Sequence, residues 1–343
     1  MNTIIVASAR PGAGKTSVVL GLTKAAGKSF GYIKPFGDRL MYKKKRLWDY
    51  DAAVAVNILG LEDNPEDITI GFEHEKLRYM YDEESTKAKL LDMAEKVGGG
   101  KDVLLVEAGQ DLCYGASVRL DAISMSKSMD AGLLVVVSGN AETVIDDITT
   151  VKRYVDAQGV KLLGVVINKI KDVEDFKTVY MDSIDAIGVP VLGILPYTEA
   201  MTTRSLRHLS EALFAKVIAG EDQLDNKVQA VLVGAMSVNE ALKSELLKQE
   251  NTLIITSGDR SDMILASLEA KVAGIVLSNN ILPPANIVSR ASQLGIPLLM
   301  VQNDTFQVAK MIDDMEPLIT REDTDKIDLM GGLVKDSMNM DIL

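Results

Sequence analysis

The chain has 343 residues, 47% of them apolar and 25% charged, with a formal net charge of −12. This is the composition of a soluble globular protein with room for two domains of ordinary size, and its negative balance disfavours nucleic acid and anionic membrane surfaces as partners. A single cysteine, Cys113, excludes an internal disulfide framework and fits a reducing cytoplasm.

Strands and helices alternate from the start. Thr3–Ser8 reads as a strand, Lys15–Ala26 as a helix, Tyr32–Phe36 as a short strand and Asp51–Leu59 as helical. Thr86–Val97 is an amphipathic helix stopped by three glycines. The runs Asp102–Gly109, Gly132–Asn140, Leu162–Lys169 and Val189–Pro196 are apolar and β-branched, as in strands covered on both faces. Helices over Glu142–Ala157, Glu174–Ile187 and Thr203–Ala219 lie between or after them. The pattern predicts an α/β fold, a mostly parallel sheet with helices on both faces.

Polar, acidic Gly220–Lys227 interrupts this pattern, and a smaller α/β domain follows. Its expected helices are Ser237–Lys248, Ser261–Ala270, Pro284–Leu294 and Thr305–Met315. The expected division is residues 1–219, a linker over 220–228, a second domain over 229–318, and a polar tail over 319–343. Whether the tail docks is left open by its mixed composition. No apolar run approaches membrane-spanning length, and no basic leader with a long apolar region begins the chain, so neither a span nor a signal peptide is expected. The basic run Lys43–Arg46 reads as a solvated loop or, less simply, as an anion contact.

Ala9–Thr16, ARPGAGKT, has the spacing of a phosphate-binding loop in relaxed form. Gly12 and Gly14 let the backbone curl so that successive N–H groups converge on phosphate oxygens. A helix starting near Lys15 adds its positive end at the same spot. Pro11, Gly12, Ala13, Gly14, Lys15, Thr16 and Ser17 form the expected cradle. Lys15 offers charge to the β- and γ-phosphates, and Thr16 a hydroxyl to Mg²⁺. With one cysteine and two histidines, His74 and His208, the chain suits oxygen ligation better than zinc.

The succession GYIKPFG, DYDAAV and DVLLVEAGQD resembles dethiobiotin synthetase and its relatives, including the synthetase domain of cobyrinic acid a,c-diamide synthase. The resemblance implies that Lys34, of the Lys34–Pro35 pair, helps hold the transferring phosphate. It further implies that Asp51 and Glu107 join Thr16 on Mg²⁺, that Asn168 reads the base, and that the turn beginning at Pro196 walls the adenine. Gly12, Lys34, Glu107, Asn168 and Pro196 fall at or just past predicted strand ends, where such sheets bind ligands. Plainer readings stand beside these: Asp51 as a helix cap with Asp49 as rival ligand, Lys34 as a salt-bridge partner and Asn168 as a loop residue. Glu107, directly after a buried apolar strand, needs a partner in any reading.

The segment from LVGAMSVNEAL through GDRSDMI to GIPLLMVQNDTF looks like a DRTGG domain. An ATPase domain of the dethiobiotin-synthetase type followed by a DRTGG domain resembles the N-terminal part of long-form phosphate acetyltransferase, and also free-standing phosphotransacetylase-like proteins. The resemblance covers roughly residues 1–315. Where that domain ordinarily carries a glycine pair, this chain has Ser278–Asn279–Asn280, and no acyltransferase domain follows. Acetyl transfer by this chain alone is therefore not expected. Asp259 and Arg260 are a candidate second-domain ligand site, or a capping acid beside a structural arginine. Cys113 reads as a small structural residue.

Three functions follow as expectations. The first is an ATP–Mg²⁺-binding regulatory or metabolite-sensing ATPase, with a nucleotide, a small anionic metabolite or carboxylate, and an acyltransferase or other enzyme as partners. The second is an ATP-dependent carboxylate-activating synthetase, in which Lys15, Lys34 and Mg²⁺ neutralise developing charge. The third, a partner-driven ATPase switch, fits less well because only Arg10 stands where such switches carry an additional loop lysine. A homodimer is the assembly implied by relatives of this branch.

Overall fold

The computed structural model describes residues 1–43, 45–249, 251–320 and 322–343; Lys44 of the basic run and Arg321 of the tail lie outside them. The chain forms two compact units, one of residues 1–198 and 319–343, the other of residues 199–318.

The first unit holds β1 (Asn2–Ser8), α1 (Lys15–Ala25), β2 (Phe30–Ile33) and a hairpin of β3 (Leu40–Lys43) and β4 (Arg46–Asp49). Next come α2 (Tyr50–Leu59), α3 (His74–Met80), α4 (Glu83–Gly98), β5 (Val103–Glu107), α5 (Ala122–Met129) and β6 (Gly132–Ser138). α6 (Ala141–Gln158), β7 (Leu162–Ile170), α7 (Val173–Asp185) and β8 (Val191–Pro196) follow. Six strands make one parallel sheet in the order β2-β5-β1-β6-β7-β8. The apolar runs explain it: Ile4–Ala7, Val103–Val106 and Leu133–Val137 are all essentially inaccessible, as strands covered on both faces must be. The chain leaves β1 toward one side of the sheet and β6 toward the other, so a crevice opens beside the carboxyl end of β1.

The second unit begins with β9 (Arg204–Ser205), α8 (Leu206–Ala212), β10 (Lys216–Ala219), β11 (Lys227–Val228) and β12 (Ala230–Val233). It continues through α9 (Val238–Ala241), β13 (Thr252–Ser257), α10 (Ser261–Glu269), β14 (Gly274–Ser278), α11 (Ala285–Leu294), β15 (Leu298–Met300) and α12 (Thr305–Asp313). Its sheet runs β10-β15-β14-β13-β12, parallel except for β10 at one edge. One face packs Ile254, Ile275 and Leu298 beneath Met263, Ile264 and Ile287, and the other packs Leu253, Ile255 and Val276 beneath Leu206, Leu209 and Val308.

The division falls at Thr198/Glu199, upstream of the expected linker, because Thr203–Ala219 is not one helix. α8 ends where Phe214 takes a left-handed backbone (φ 50°), and Lys216–Ala219 turns into the edge strand against β15. The expected linker is itself structured: Leu224 is buried and Lys227–Val228 pairs with Arg204–Ser205. The helix expected over Ser237–Lys248 shrinks to α9 and a single 3₁₀ turn at Leu246–Lys248. Between them Ser244 Oγ accepts a bond from the Leu246 amide, a local alternative to helical pairing.

The tail carries α13 (Thr324–Ser337), which packs along α1. Two glycines permit the approach. A Cβ on Gly21 would stand 2.6 Å from Val334 Cγ2 and 3.0 Å from the Met330 carbonyl, and one on Gly331 would stand 2.7 Å from Lys24. Met338 then bridges Gly193 of β8, and the Asn339 amide donates to the Leu192 carbonyl at 2.7 Å. Gly21→Val is expected to lose about 1–3 kcal/mol by overpacking this contact. Gly332→Ala, whose Cβ meets nothing within 4 Å, is expected to gain up to about 1 kcal/mol of helix propensity. Denaturant unfolding of the two variants checks the opposite signs.

Candidate nucleotide site

The segment after β1 turns twice through left-handed glycine, at Gly12 (φ 72°) and Gly14 (φ 97°), before α1 begins at Lys15. No side chain caps α1, so its first amides are free of side-chain acceptors. Asn168 and Lys169, at the end of β7, hold the turn from beneath: Asn168 Nδ2 donates to the Ala13 carbonyl at 2.9 Å and Lys169 Nζ to the Gly12 carbonyl at 2.7 Å. Asn168 Oδ1 accepts from the Lys169 amide. In this arrangement the amide end of the asparagine serves the loop, and its oxygen is taken by the neighbouring backbone. A Cβ at Gly14 would come within 2.4 Å of Asn168 Nδ2. Arg10 clasps both carboxylate oxygens of Asp147 on α6, at 2.9 and 2.8 Å, which fixes the loop's entry. Pro11 is exposed, and Ser17 lies in the first turn of α1.

Lys15 is buried, and its ammonium donates to Ser8 Oγ at 3.0 Å and to the Gln110 carbonyl at 3.1 Å. Both acceptors are neutral. Burial lowers its pKa, with the Glu107 carboxylate opposing. Thr16 Oγ1 donates to Glu107 Oε1 at 2.7 Å, and Tyr32 Oη donates to Glu107 Oε2 at 3.0 Å. Glu107 thus has hydroxyl donors on both oxygens. Burial, only partly offset by Lys34 and with Asp51 adding to the rise, pushes its carboxyl up to about 7.

Lys34, just past β2, is 1% exposed and sits among three carboxylates: Asp51 at 2.5 Å, Asp38 at 2.6 Å and Asp49 at 3.4 Å. Asp49, not Asp51, caps α2: its Oδ1 accepts from the Ala52 amide and its Oδ2 from the Asp38 and Arg39 amides. Asp51 instead receives Lys34 and, on both oxygens at 3.2 Å, Arg39. Burial works to raise the Asp51 carboxyl, yet the two cations hold it below the usual range. Lys34 is driven well above the ordinary lysine value because its burial is outweighed by Asp51, then Glu107, Asp49 and Asp38.

Thr16 and Glu107 are therefore joined by a short hydrogen bond, Asn168 is bonded to the loop at Ala13, Lys15 is held by Ser8 and Gln110, and Lys34 and Asp51 are joined to each other. Pro196, at the end of β8, is half-buried and lies one strand beyond Asn168. Among the described residues no group of three or more acids, histidines or cysteines is placed so that its side chains could hold a metal ion by themselves, and the three aspartates around Lys34 are occupied by that lysine. The donor set of hydroxyl and carboxylate oxygens nonetheless suits Mg²⁺, which fills its remaining positions with water and phosphate. The Glu107 carboxylate stands beside the Thr16 hydroxyl, so that the two could offer oxygens to one cation. Sequence reasoning missed Tyr32, Asp38, Arg39 and Lys169. Asp38 and Arg39 directly follow the KPFG segment and were the most accessible signal; Tyr32 and Lys169 reach the site only through strand pairing.

In the second unit Arg260 is spent structurally. It pairs with Asp262 at 3.0 Å and donates to the Gly234 and Met236 carbonyls. Asp259 is exposed and contributes no cap to α10, whose N-cap residue is Arg260. Asn279 and Asn280 both take left-handed backbones (φ 62° and 53°), the conformation a glycine pair adopts without strain and asparagine tolerates best after it.

A family model described as "AAA domain" matches residues 2–205, and one described as "DRTGG domain" matches residues 208–315. The phosphate acetyltransferase of Pseudomonas aeruginosa is 23% identical, the alignment covering 97% of this chain and 50% of the relative. That of Nitrosomonas europaea is 23% identical over 100% of this chain and 51% of the relative. The chain spans about half the length of these curated relatives. Among solved structures, the MinC:MinD cell division protein complex of Aquifex aeolicus matches at 17% identity with a TM-score of 0.38, over 58% of this chain and 82% of that one.

Proposed function

The chain belongs to the AAA domain family over its first 205 residues, and from that premise we propose that it binds ATP with Mg²⁺ at the carboxyl edge of the first sheet and acts as a regulatory or metabolite-sensing ATPase. The observation that carries this reading is the constellation around Lys15. A buried ammonium held only by neutral acceptors, two left-handed glycines and uncapped helix amides converge where phosphates would sit. Thr16 and Glu107 would hold the metal; when bound, Mg²⁺ supplies charge neutralisation on the β- and γ-phosphates. Lys15 would move from Ser8 and Gln110 onto those phosphates. Asn168 and Lys169 keep the loop open by anchoring its carbonyls beneath it. The second unit, matched by the DRTGG model, takes the sensing role, with an acyltransferase or another enzyme as the natural recipient of the signal.

A second reading is an ATP-dependent carboxylate-activating synthetase. It is favoured by Lys34 and Arg39, two cations gathered on Asp51 beside the loop, which could turn to a substrate anion once a nucleotide–metal complex draws Asp51 away.

Calorimetric titration of the full chain with ATP and Mg²⁺ tests the first reading. A dissociation constant in the micromolar range is expected for the wild type, and a loss of at least about 100-fold, near 2.7 kcal/mol, for Lys15→Ala. No heat at millimolar ATP would overturn ATP binding. Rapid ATP turnover dependent on a small carboxylate, with phosphate and a ligated product released, would replace the regulatory reading with the synthetase.

A further inference from the structure

The hairpin β3–β4 turns one face to the body of the first unit and leaves the other without a partner. Its register sets Leu40 opposite Asp49, Met41 opposite Trp48 and Tyr42 opposite Leu47. Residues directly opposite share a face. Trp48 Nε1 donates to Glu66 at 3.1 Å and Arg46 is held by the same carboxylate, so their face lies against the segment that carries Glu66. Leu40, Tyr42 and Leu47 share the other face and are all exposed, Tyr42 by 75%. Apolar residues scattered singly over a surface need no explanation, but a contiguous group marks a docking surface.

We propose that this face docks on a second copy of the chain, at the corner between α3 and α4, and that the second copy's hairpin docks on the same corner of the first. The inference is independent of ATP binding.

The corner is the chemical complement of the hairpin. Tyr79 and Met80, the last residues of α3, are exposed, Tyr79 by 93%. Acids border them on both sides: Glu75 one turn back on α3, and Asp82, Glu83 and Glu84 at the start of α4. Over residues 73–84 the acids outnumber the two bases, Lys76 and Arg78. The border of the hairpin has the opposite sign. Its turn belongs to the basic run Lys43–Arg46, and exposed Lys45 has no ion-pair or hydrogen-bond partner among the described residues. Each patch thus has an apolar centre and a charged rim, and the rims attract.

The two patches rise from one seam. The Gly37 amide donates to the Gly71 carbonyl at 3.0 Å, and Phe36 meets the His74 ring edge-on with centroids 4.7 Å apart. Neighbouring patches that leave each other open in one copy can be covered reciprocally by a two-fold partner. Such a pair buries the contact twice and leaves no end free for further growth. Each contact is small, so the pair should be weak, with a dissociation constant of about 10–100 μM.

Sedimentation equilibrium of the full chain between about 1 and 200 μM tests this. A monomer–dimer equilibrium is expected, weakening several-fold as salt rises from about 50 to 500 mM. Tyr42→Glu, at an exposed position, should weaken association at least about tenfold while the melting temperature stays within about 2 °C of the wild type. Exchange of charge is the sharper test. Lys45→Glu and Glu75→Lys/Glu84→Lys should each weaken self-association about tenfold, because each sets like charges together. An equimolar mixture of these two variants should regain the wild-type affinity, since in the mixed pair each hairpin meets a corner of opposite sign. A chain still monomeric at about 200 μM, association untouched by Tyr42→Glu, or a mixture that pairs no better than its components would each overturn the proposal.

Discussion

Lys34→Met is expected to destabilise the first unit by about 3–5 kcal/mol, the usual consequence of taking one partner from a buried ion cluster. The reason is arithmetic of charge rather than of contact area. Lys34 touches Asp38, Asp49 and Asp51, and each of these acids is almost wholly buried. Methionine fills the same space and leaves only Arg39, on Asp51, to face them. The pH dependence follows from Asp51. Its carboxyl is held below the ordinary value in the folded chain, so its contribution is intact above that value and is lost as pH falls through the folded one. Without Lys34 that depression weakens, so the deficit of the variant should be widest near neutrality and should narrow below about pH 4. Urea unfolding across pH checks this. Adding Asp51→Asn to Lys34→Met should recover part of the loss, since it removes one of the stranded charges.

Glu107→Gln is expected to do the reverse to stability and to damage ligand binding. The wild-type carboxyl is raised from 4.5 to about 7. An acid whose folded value is raised contributes stability below its unfolded value and loses it as pH climbs toward the folded one. The wild type without ligand should therefore weaken between about pH 4.5 and 7, by an amount of order 3 kcal/mol at one pKa unit per 1.36 kcal/mol. Glutamine retains an acceptor for Thr16 or Tyr32 and carries no charge, so this slope should flatten and the variant should melt above the wild type at pH 7.5 without metal. If Glu107 holds Mg²⁺, the stabilisation by ATP–Mg²⁺ should drop at the same time, with apparent affinity down about 10- to 100-fold. A variant more stable than wild type that still binds ATP–Mg²⁺ equally well would remove Glu107 from the metal site while leaving the electrostatics of its burial intact.

How much of this was legible in the sequence differs by length scale. The parallel sheet of the first unit was legible because each strand is a continuous apolar, β-branched run, and such runs leave few alternatives. The loop at Ala9–Thr16 was legible because its glycines, lysine and threonine are contiguous. The register that brings Tyr32 to Glu107, or Lys169 beneath Gly12, is set by strand pairing across 75 and 157 positions and leaves no local trace. Asp49 and Asp51 show the same limit at short range. Both are acids at the start of α2, and only the backbone geometry assigns the first to the cap and the second to Lys34. The failures at Thr203–Ala219 and Ser237–Lys248 have a common cause. Residues with adequate helix propensity were claimed by the second sheet, β10 by pairing with β15 and the region around Leu246–Lys248 by packing beside β12 and β13.

The tail helix that lies along α1 makes the first unit discontinuous: residues 199–318 are inserted between its body and its last segment. Synthesis from the ribosome is sequential, and a domain completes its folding only when all of its chain has emerged. The N-terminal body must therefore wait, with the groove at Gly21 uncovered and the Leu192–Gly193 segment of β8 unbridged, until the inserted unit and α13 have left the exit tunnel. During that interval the inserted unit, whose own core is contiguous in sequence, can reach its native state first. Completion of the first unit, though it begins the chain, thus depends on the residues that are translated last.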